Sequence, residues 1–144
     1  MTPQPAAGPV LVLNGSNRTG SFNRILGELV VDGLGRRGVD AELVDLQSYE
    51  LPLFDADLLA SEGPLPPAHE LQARLAAAPG VVIVSPEYNG AMTPLLKNSV
   101  DWVSRVDMAT FFTKRMAVLT ATPGRLGGPN GRDLTQRWFT SIGA

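Results

Sequence analysis

The chain has 144 residues, 44% of them hydrophobic and 18% charged, with a net charge of −2. That is enough for one domain and one core, and the mild charge with scattered basic residues excludes a nucleic-acid partner, while no apolar run approaches the roughly 18 residues of a membrane span. With no cysteine and one histidine, disulfides, thiol redox chemistry and two-histidine metal sites are excluded, so no metal is expected.

Residues 1–8, with their prolines and Gly8, read as a flexible tail, and the domain is expected over residues 9–144. The start Met1-Thr2-Pro3-Gln4-Pro5 lacks the basic and apolar regions of a signal peptide, which makes a cytoplasmic location the expectation. Val10 to Leu13 reads as a buried strand. Phe22, Ile25, Leu26, Leu29, Val30 and Leu34 then follow the three-and-four spacing of one helical face, ended by Gly35 and Gly38. Ala41 to Leu46 suits a second strand, and the Pro-rich connection from Gln47 to Pro67 is long enough to suggest a function.

Ala68 to Ala78 is composed of helix formers and is stopped by Pro79-Gly80, after which Val81 to Val84 is a continuous apolar strand. Thr93 is expected to cap a third helix with Pro94 at its first position, and Leu95, Leu96, Val100 and Val103 form its apolar stripe through to Arg105. Met116 to Ala121 reads as a fourth strand and Asp133 to Ile142 as a final helix carrying Trp138 and Phe139. Strands alternating with helices imply a parallel sheet with right-handed crossovers and helices on both faces, a three-layer α/β fold.

The segment Gly15-Ser16-Asn17-Arg18-Thr19-Gly20-Ser21-Phe22-Asn23 joins the first strand to the first helix, a position where backbone N–H groups and the helix dipole favour a phosphate. Ser16 and Ser21 add hydroxyls, Asn23 an amide, and Arg18 a planar charged fork. The lysine of a P-loop and the glycine set of a dinucleotide fingerprint are both missing, so Asp45 at the end of the second strand is a weak imitation of a ribose-binding acid. Taken alone, the segment also fits an ordinary Gly/Ser/Asn turn with a helix cap. His69, next to Glu70 in the first turn of a surface helix, reads as an exposed histidine, and Asp55 and Asp57 as solvated carboxylates.

Four places together resemble the NADPH-dependent FMN reductase family, whose flavodoxin-like members include quinone, chromate and azo-dye reductases. They are the Gly15 to Asn23 loop, where Asn17 stands in place of a usual apolar residue; Leu51-Pro52-Leu53-Phe54-Asp55; Pro86-Glu87-Tyr88-Asn89-Gly90 followed by Leu96-Lys97-Asn98-Ser99-Val100-Asp101-Trp102; and Thr120-Ala121-Thr122-Pro123-Gly124. The resemblance implies a flavodoxin-like, doubly wound sheet in the order 2-1-3-4-5. Because the chain stops soon after the final helix, the last strand and helix of that fold are expected to be missing.

In that order the loops after strands 1 and 3 flank one crevice. The implied cofactor is FMN, its phosphate held by Ser16, Arg18, Ser21, Phe22 and Asn23. Its ring would lie by Pro86, Glu87, Tyr88, Asn89 and Gly90, with Ala121, Thr122 and Gly124 beside it; for Glu87, orienting the loop or facing a partner subunit is the alternative to ring contact. The implied reaction passes hydride from NADPH or NADH to FMN and on to a small acceptor (a quinone, a flavin, chromate or an azo dye). No catalytic side chain is required, because the cofactor carries the chemistry.

The resemblance also implies a homodimer or homotetramer, with Lys97, Asn98 and Asp101 in subunit contacts and loop support, while Trp102 and Val103 on the third helix read as core or dimer interface instead of cofactor contacts. Two other readings stay open: a flavodoxin-like electron carrier, against which Arg18 and the low net charge argue, and a truncated, inactive flavin-binding remnant.

Overall fold

The computed structural model describes residues 8–112 and 114–144; seven of the eight residues read as an N-terminal tail lie outside that set. Four strands, β1 (Val10–Asn14), β2 (Ala41–Asp45), β3 (Val81–Val84) and β4 (Met116–Leu119), form one parallel sheet in the order β2-β1-β3-β4. The registers Leu13↔Val44, Leu13↔Ile83 and Ile83↔Val118 run through its centre. Strand order reverses between β1 and β3, so the chain leaves their carboxyl ends in opposite directions and opens a gap there.

Among the described residues, four helices lie between the strands, α1 (Phe22–Gly35), α2 (Ala56–Glu62), α3 (Pro66–Ala77) and α4 (Pro94–Val106), and α5 (Pro129–Ser141) follows β4. Alternation along the strands sorts their side chains between two faces. On one face Leu11, Leu13, Val81 and Ile83 join Leu71, Leu75, Leu96, Val100, Val103, Phe111 and Phe139 in the main core beneath α3, α4 and α5. Trp102 and Val103 are both fully buried, so Trp102 serves the fold. Its indole N–H donates to the Pro52 carbonyl at 2.7 Å and its ring meets Phe54 edge-on.

Among the described residues, the other face is covered by α1. Gly27 lets that helix approach closely: a Cβ there would stand 2.7 Å from Leu43 and 3.1 Å from Val84. Val12 and Val84 are completely covered as a result. Ala117 and Leu119, which pair with Val82 and Val84 and so share this face, are exposed and half-buried. Phe22, Ile25 and Leu29 on α1 remain 49%, 49% and 63% exposed. The described residues thus leave a shallow apolar trough beside α1, over a β4 that pairs with β3 on one side alone.

The connection from Gln47 to Pro67 is more regular than its prolines suggest. Leu46 opens a 3-10 turn (Leu46–Tyr49) instead of ending β2, because the Asp45 carboxylate accepts the Gln47 N–H. Asp55 caps α2 by accepting the N–H groups of Asp57 and Leu58, so its carboxylate organises a helix end, while Asp55 and Asp57 both stay exposed as solvated carboxylates. Asn98 then fastens the loop to α4, accepting the Phe54 N–H at 2.7 Å and donating to the Pro52 carbonyl at 2.9 Å. The loop support expected of Asn98 is thereby seen, while Lys97 and Asp101 pair with each other along α4 at 2.7 Å. His69 is exposed on α3.

Candidate functional site

Three loops meet at the carboxyl end of the sheet, each shaped by its own sequence. In the β1–α1 loop, the buried Asn14 side chain accepts the Ser16 N–H and donates to the Ser16 carbonyl, both at 3.1 Å, closing a tight first turn. Gly15 has no room for a side chain, since a Cβ would lie 2.8 Å from the Ser85 hydroxyl. Gly20 adopts φ 68°, and Ser21 caps α1 by accepting the N–H groups of Asn23 and Arg24. The N–H groups of Asn17, Thr19, Gly20, Ser21 and Phe22 find no acceptor among the described residues, and neither does the exposed Arg18 guanidinium.

The β3–α4 loop is a miniature hairpin. Tyr88 and Ala91 exchange N–H···O bonds of 2.9 and 3.1 Å around Asn89 (φ 53°) and Gly90 (φ 77°). Two consecutive left-handed residues are the signature of a type I′ turn, for which Asn-Gly is the preferred pair. The turn projects Tyr88, 42% exposed, from its stem. The third loop follows β4 and runs from Thr120 to Gly128 into α5.

These loops enclose a crevice of about 190 Å³ lined by Ser16, Arg18, Ser21, Phe22, Asn23, Pro86, Glu87, Tyr88, Ala121, Thr122 and Pro123. Ten of the thirteen residues singled out from the sequence therefore share one cavity. Asn89 and Gly90 do not line it, because they build the turn behind Tyr88, and Gly124 stands outside it, its N–H donating to the Thr122 hydroxyl at 3.1 Å. Pro123 lines the cavity without having been singled out individually. A second opening of about 320 Å³ lies across the first loop towards β2, with Arg18 on the shared rim; its Asp45 pairs with Arg24 at 3.3 Å.

Side-chain bonds tie the three loops to one another. Asn23 donates to the Ala121 carbonyl at 2.9 Å and accepts the Ala121 N–H at 2.8 Å, joining the first loop to the third. Thr93, buried at the start of α4, donates to the Gly15 carbonyl at 2.6 Å and joins the first to the second. Glu87 accepts the Gly131 N–H of α5 at 2.8 Å and joins the second to the third. The Thr93 link lay hidden in the sequence because a helix cap explained that residue fully. Among the described residues, no three His, Cys, Asp or Glu side chains gather as a metal site, and no helix is long and apolar enough to cross a membrane.

A four-stranded parallel sheet in the order 2-1-3-4, helices on both faces and a crevice where the order reverses define a flavodoxin-like α/β protein. An archaeal flavodoxin shares this fold at TM-score 0.60 with 13% identity, covering 94% of this chain and 75% of that one. Family membership is more specific: the sequence profile of the NADPH-dependent FMN reductases matches residues 9–144, and the chain belongs to that family.

Among its relatives, an NAD(P)H-dependent FMN reductase of Pseudomonas aeruginosa is 36% identical over 118 residues, 82% of this chain and 62% of that protein. A quinone reductase of Escherichia coli K12 is 35% identical over 120 residues, covering 83% and 62%. The structure of FerB, a flavoenzyme NAD(P)H:(acceptor) oxidoreductase from Paracoccus denitrificans, superposes at TM-score 0.81 with 26% identity, over 94% of this chain and 72% of that one. The match thus spans 62% of the length of these two curated relatives.

Proposed function

We propose that residues 9–144 act as one FMN-binding domain of an NAD(P)H-dependent reductase, with FMN in the three-loop crevice. The observation that carries this reading is the convergence of an anion-binding loop and an exposed tyrosine on a single cavity.

The residues present fit a phosphate monoester at one end of that cavity. The N–H groups of Ser21 and Phe22, both of which line the crevice at the N-terminus of α1, have no acceptor among the described residues, and the Arg18 fork, likewise without a partner among them, adds full charge. Ser16 and Ser21 use their oxygens as acceptors for backbone N–H groups, which leaves each hydroxyl proton available to a phosphate oxygen. At the other end Tyr88, Pro86 and Pro123 offer aromatic and apolar surface to a flat heterocycle.

The redox chemistry would come from FMN, accepting hydride from NADPH or NADH and delivering two electrons to a quinone, flavin, azo dye or chromate, quinone taking its second proton from water. This chain's part is to bind, orient and steady charge. No side chain is assigned a proton-transfer step. The names of the relatives, quinone reductase and NADPH azoreductase among them, support small aromatic acceptors as the class. A cytoplasmic assembly of two or four copies belongs to the same reading and is checked by light scattering on the eluting protein.

The test is NADPH oxidation by the purified chain given FMN and a benzoquinone. Oxidation that needs both protein and FMN supports the reading. FMN binding without oxidation would leave an electron carrier or a remnant.

A further inference from the structure

Glu87 belongs to the crevice wall, yet its carboxylate is committed elsewhere. α5 is preceded by Gly128 at its N-cap position, which has no side chain to cap it, so the third N–H of the helix lacks a local acceptor. Glu87, 44 positions earlier in the chain, supplies that acceptor by taking the Gly131 N–H at 2.8 Å. A negative group at a helix N-terminus is also favoured by the dipole.

The approach depends on Gly131 lacking a side chain. A Cβ there would stand 2.7 Å from the Glu87 Cγ, 2.8 Å from its Cβ and 3.1 Å from the Ala91 carbonyl oxygen. Gly128 also borders it, its Cβ position lying at contact distance, 3.4 Å, from the Glu87 Cβ. The Tyr88–Ala91 hairpin therefore rests directly on the first turn of α5. With Asn23–Ala121 and Thr93–Gly15 already linking the other loop pairs, Glu87–Gly131 closes a ring of three ties around the cavity.

We infer that Glu87 is a positioning residue: as the cap of α5 it holds Tyr88 in place at the crevice, and it does so without touching the ligand. What the crevice binds rests on the FMN reading above. The hairpin gains from such a fastening because, among the described residues, the backbone hydrogen bonds that close it are the two between Tyr88 and Ala91. The glycine at position 131 is the other half of the device. It lies in the first turn of α5, where helix propensity gives glycine no advantage over alanine, so its presence there is explained by close approach.

The experiment compares Glu87→Ala, Glu87→Gln and Gly131→Ala by amide hydrogen exchange at Tyr88 and Ala91 in the ligand-free protein, and by FMN titration. Glu87→Ala and Gly131→Ala are expected to speed exchange at both amides and to raise the FMN dissociation constant by about tenfold to a hundredfold, the scale on which misplaced positioning groups act. Glu87→Gln keeps an oxygen acceptor and is expected to stay near wild type in both readouts. Gly131→Ala is decisive, because it leaves Glu87 intact and favours the helix intrinsically. Wild-type exchange and affinity in that variant would overturn the inference, as would a Glu87→Gln loss as large as that of Glu87→Ala. Should Glu87→Ala fail to fold, Glu87→Asp, one methylene short of Gly131, must show the faster exchange. If the wild-type chain binds no FMN, the reading of the crevice fails, while the exchange measurements still decide the role of Glu87.

Discussion

Asn23 and Ala121, 98 positions apart, meet as two peptide groups would in a sheet: the Asn23 side-chain amide donates to the Ala121 carbonyl at 2.9 Å and accepts its N–H at 2.8 Å. Asn23 is 2% exposed. The pair extends the hydrogen bonding of the sheet past the end of β4 and fixes the third loop against the start of α1. Although Asn23 lines the crevice, both ends of its amide are spent on the fold, which makes it a structural tie between two walls.

Replacing Asn23 with alanine strands both polar groups of Ala121. A loss of about 1 to 3 kcal/mol in unfolding free energy is expected. Asn23→Asp is expected to be at least as damaging, since a carboxylate accepts the Ala121 N–H but faces the carbonyl with no proton. Urea unfolding checks both, and an unchanged midpoint would mean that water replaces the tie.

Arg18 has the opposite profile, with no internal bond from its guanidinium. Arg18→Ala is expected to leave the unfolding midpoint unchanged and to weaken FMN binding by about 1.5 to 3 kcal/mol, the worth of a charged hydrogen bond. Riboflavin, which has no phosphate, should bind both forms alike. Equal FMN affinity in the variant would remove Arg18 from the site.

Much of the fold was legible because its signals are local. The apolar run Val81–Val84 is a strand with the expected ends, and Thr93 and Pro94 start α4 where capping chemistry places them. Where Gly and Pro dominate, the reading lost structure: α2 was hidden inside the Pro-rich connection, and α5 starts at Pro129, four residues before the expected Asp133. In that first turn Gly131 reads as a helix breaker until Glu87 is seen against it. Of the site, the loops could be read but not the ties between them, since bonds such as Asn23–Ala121 have no counterpart in spacing along the chain.

Tyr49 gives the fold an alkaline limit. Burial pushes its phenol above the usual value of 10.0, partly offset by the Arg74 hydrogen bond of 2.7 Å to its oxygen. The unfolded chain therefore loses this proton first, so the stabilisation is complete below about pH 10 and is lost as pH rises through the folded-state value. Wild type is expected to lose more stability than Tyr49→Phe between about pH 9 and about pH 11, as measured by thermal unfolding. Parallel curves would show that Tyr49 does not set the limit.

The trough beside α1 exposes apolar surface that surrounding residues leave bare. Leu29→Lys, at a position 63% exposed, is expected to change unfolding free energy by less than about 0.5 kcal/mol and to lower the binding of a hydrophobic dye. A large destabilisation would mean that another chain or segment covers Leu29 in solution.

The central claim is that the loops around Arg18 and Tyr88 form one pocket for a phosphorylated flavin. Calorimetric titration of the purified chain with FMN and, separately, with riboflavin tests it most directly. The account predicts one saturable FMN site per chain, with riboflavin weaker by about tenfold or more for want of the phosphate contacts. No saturable FMN binding, or equal affinity for the two flavins, would contradict it.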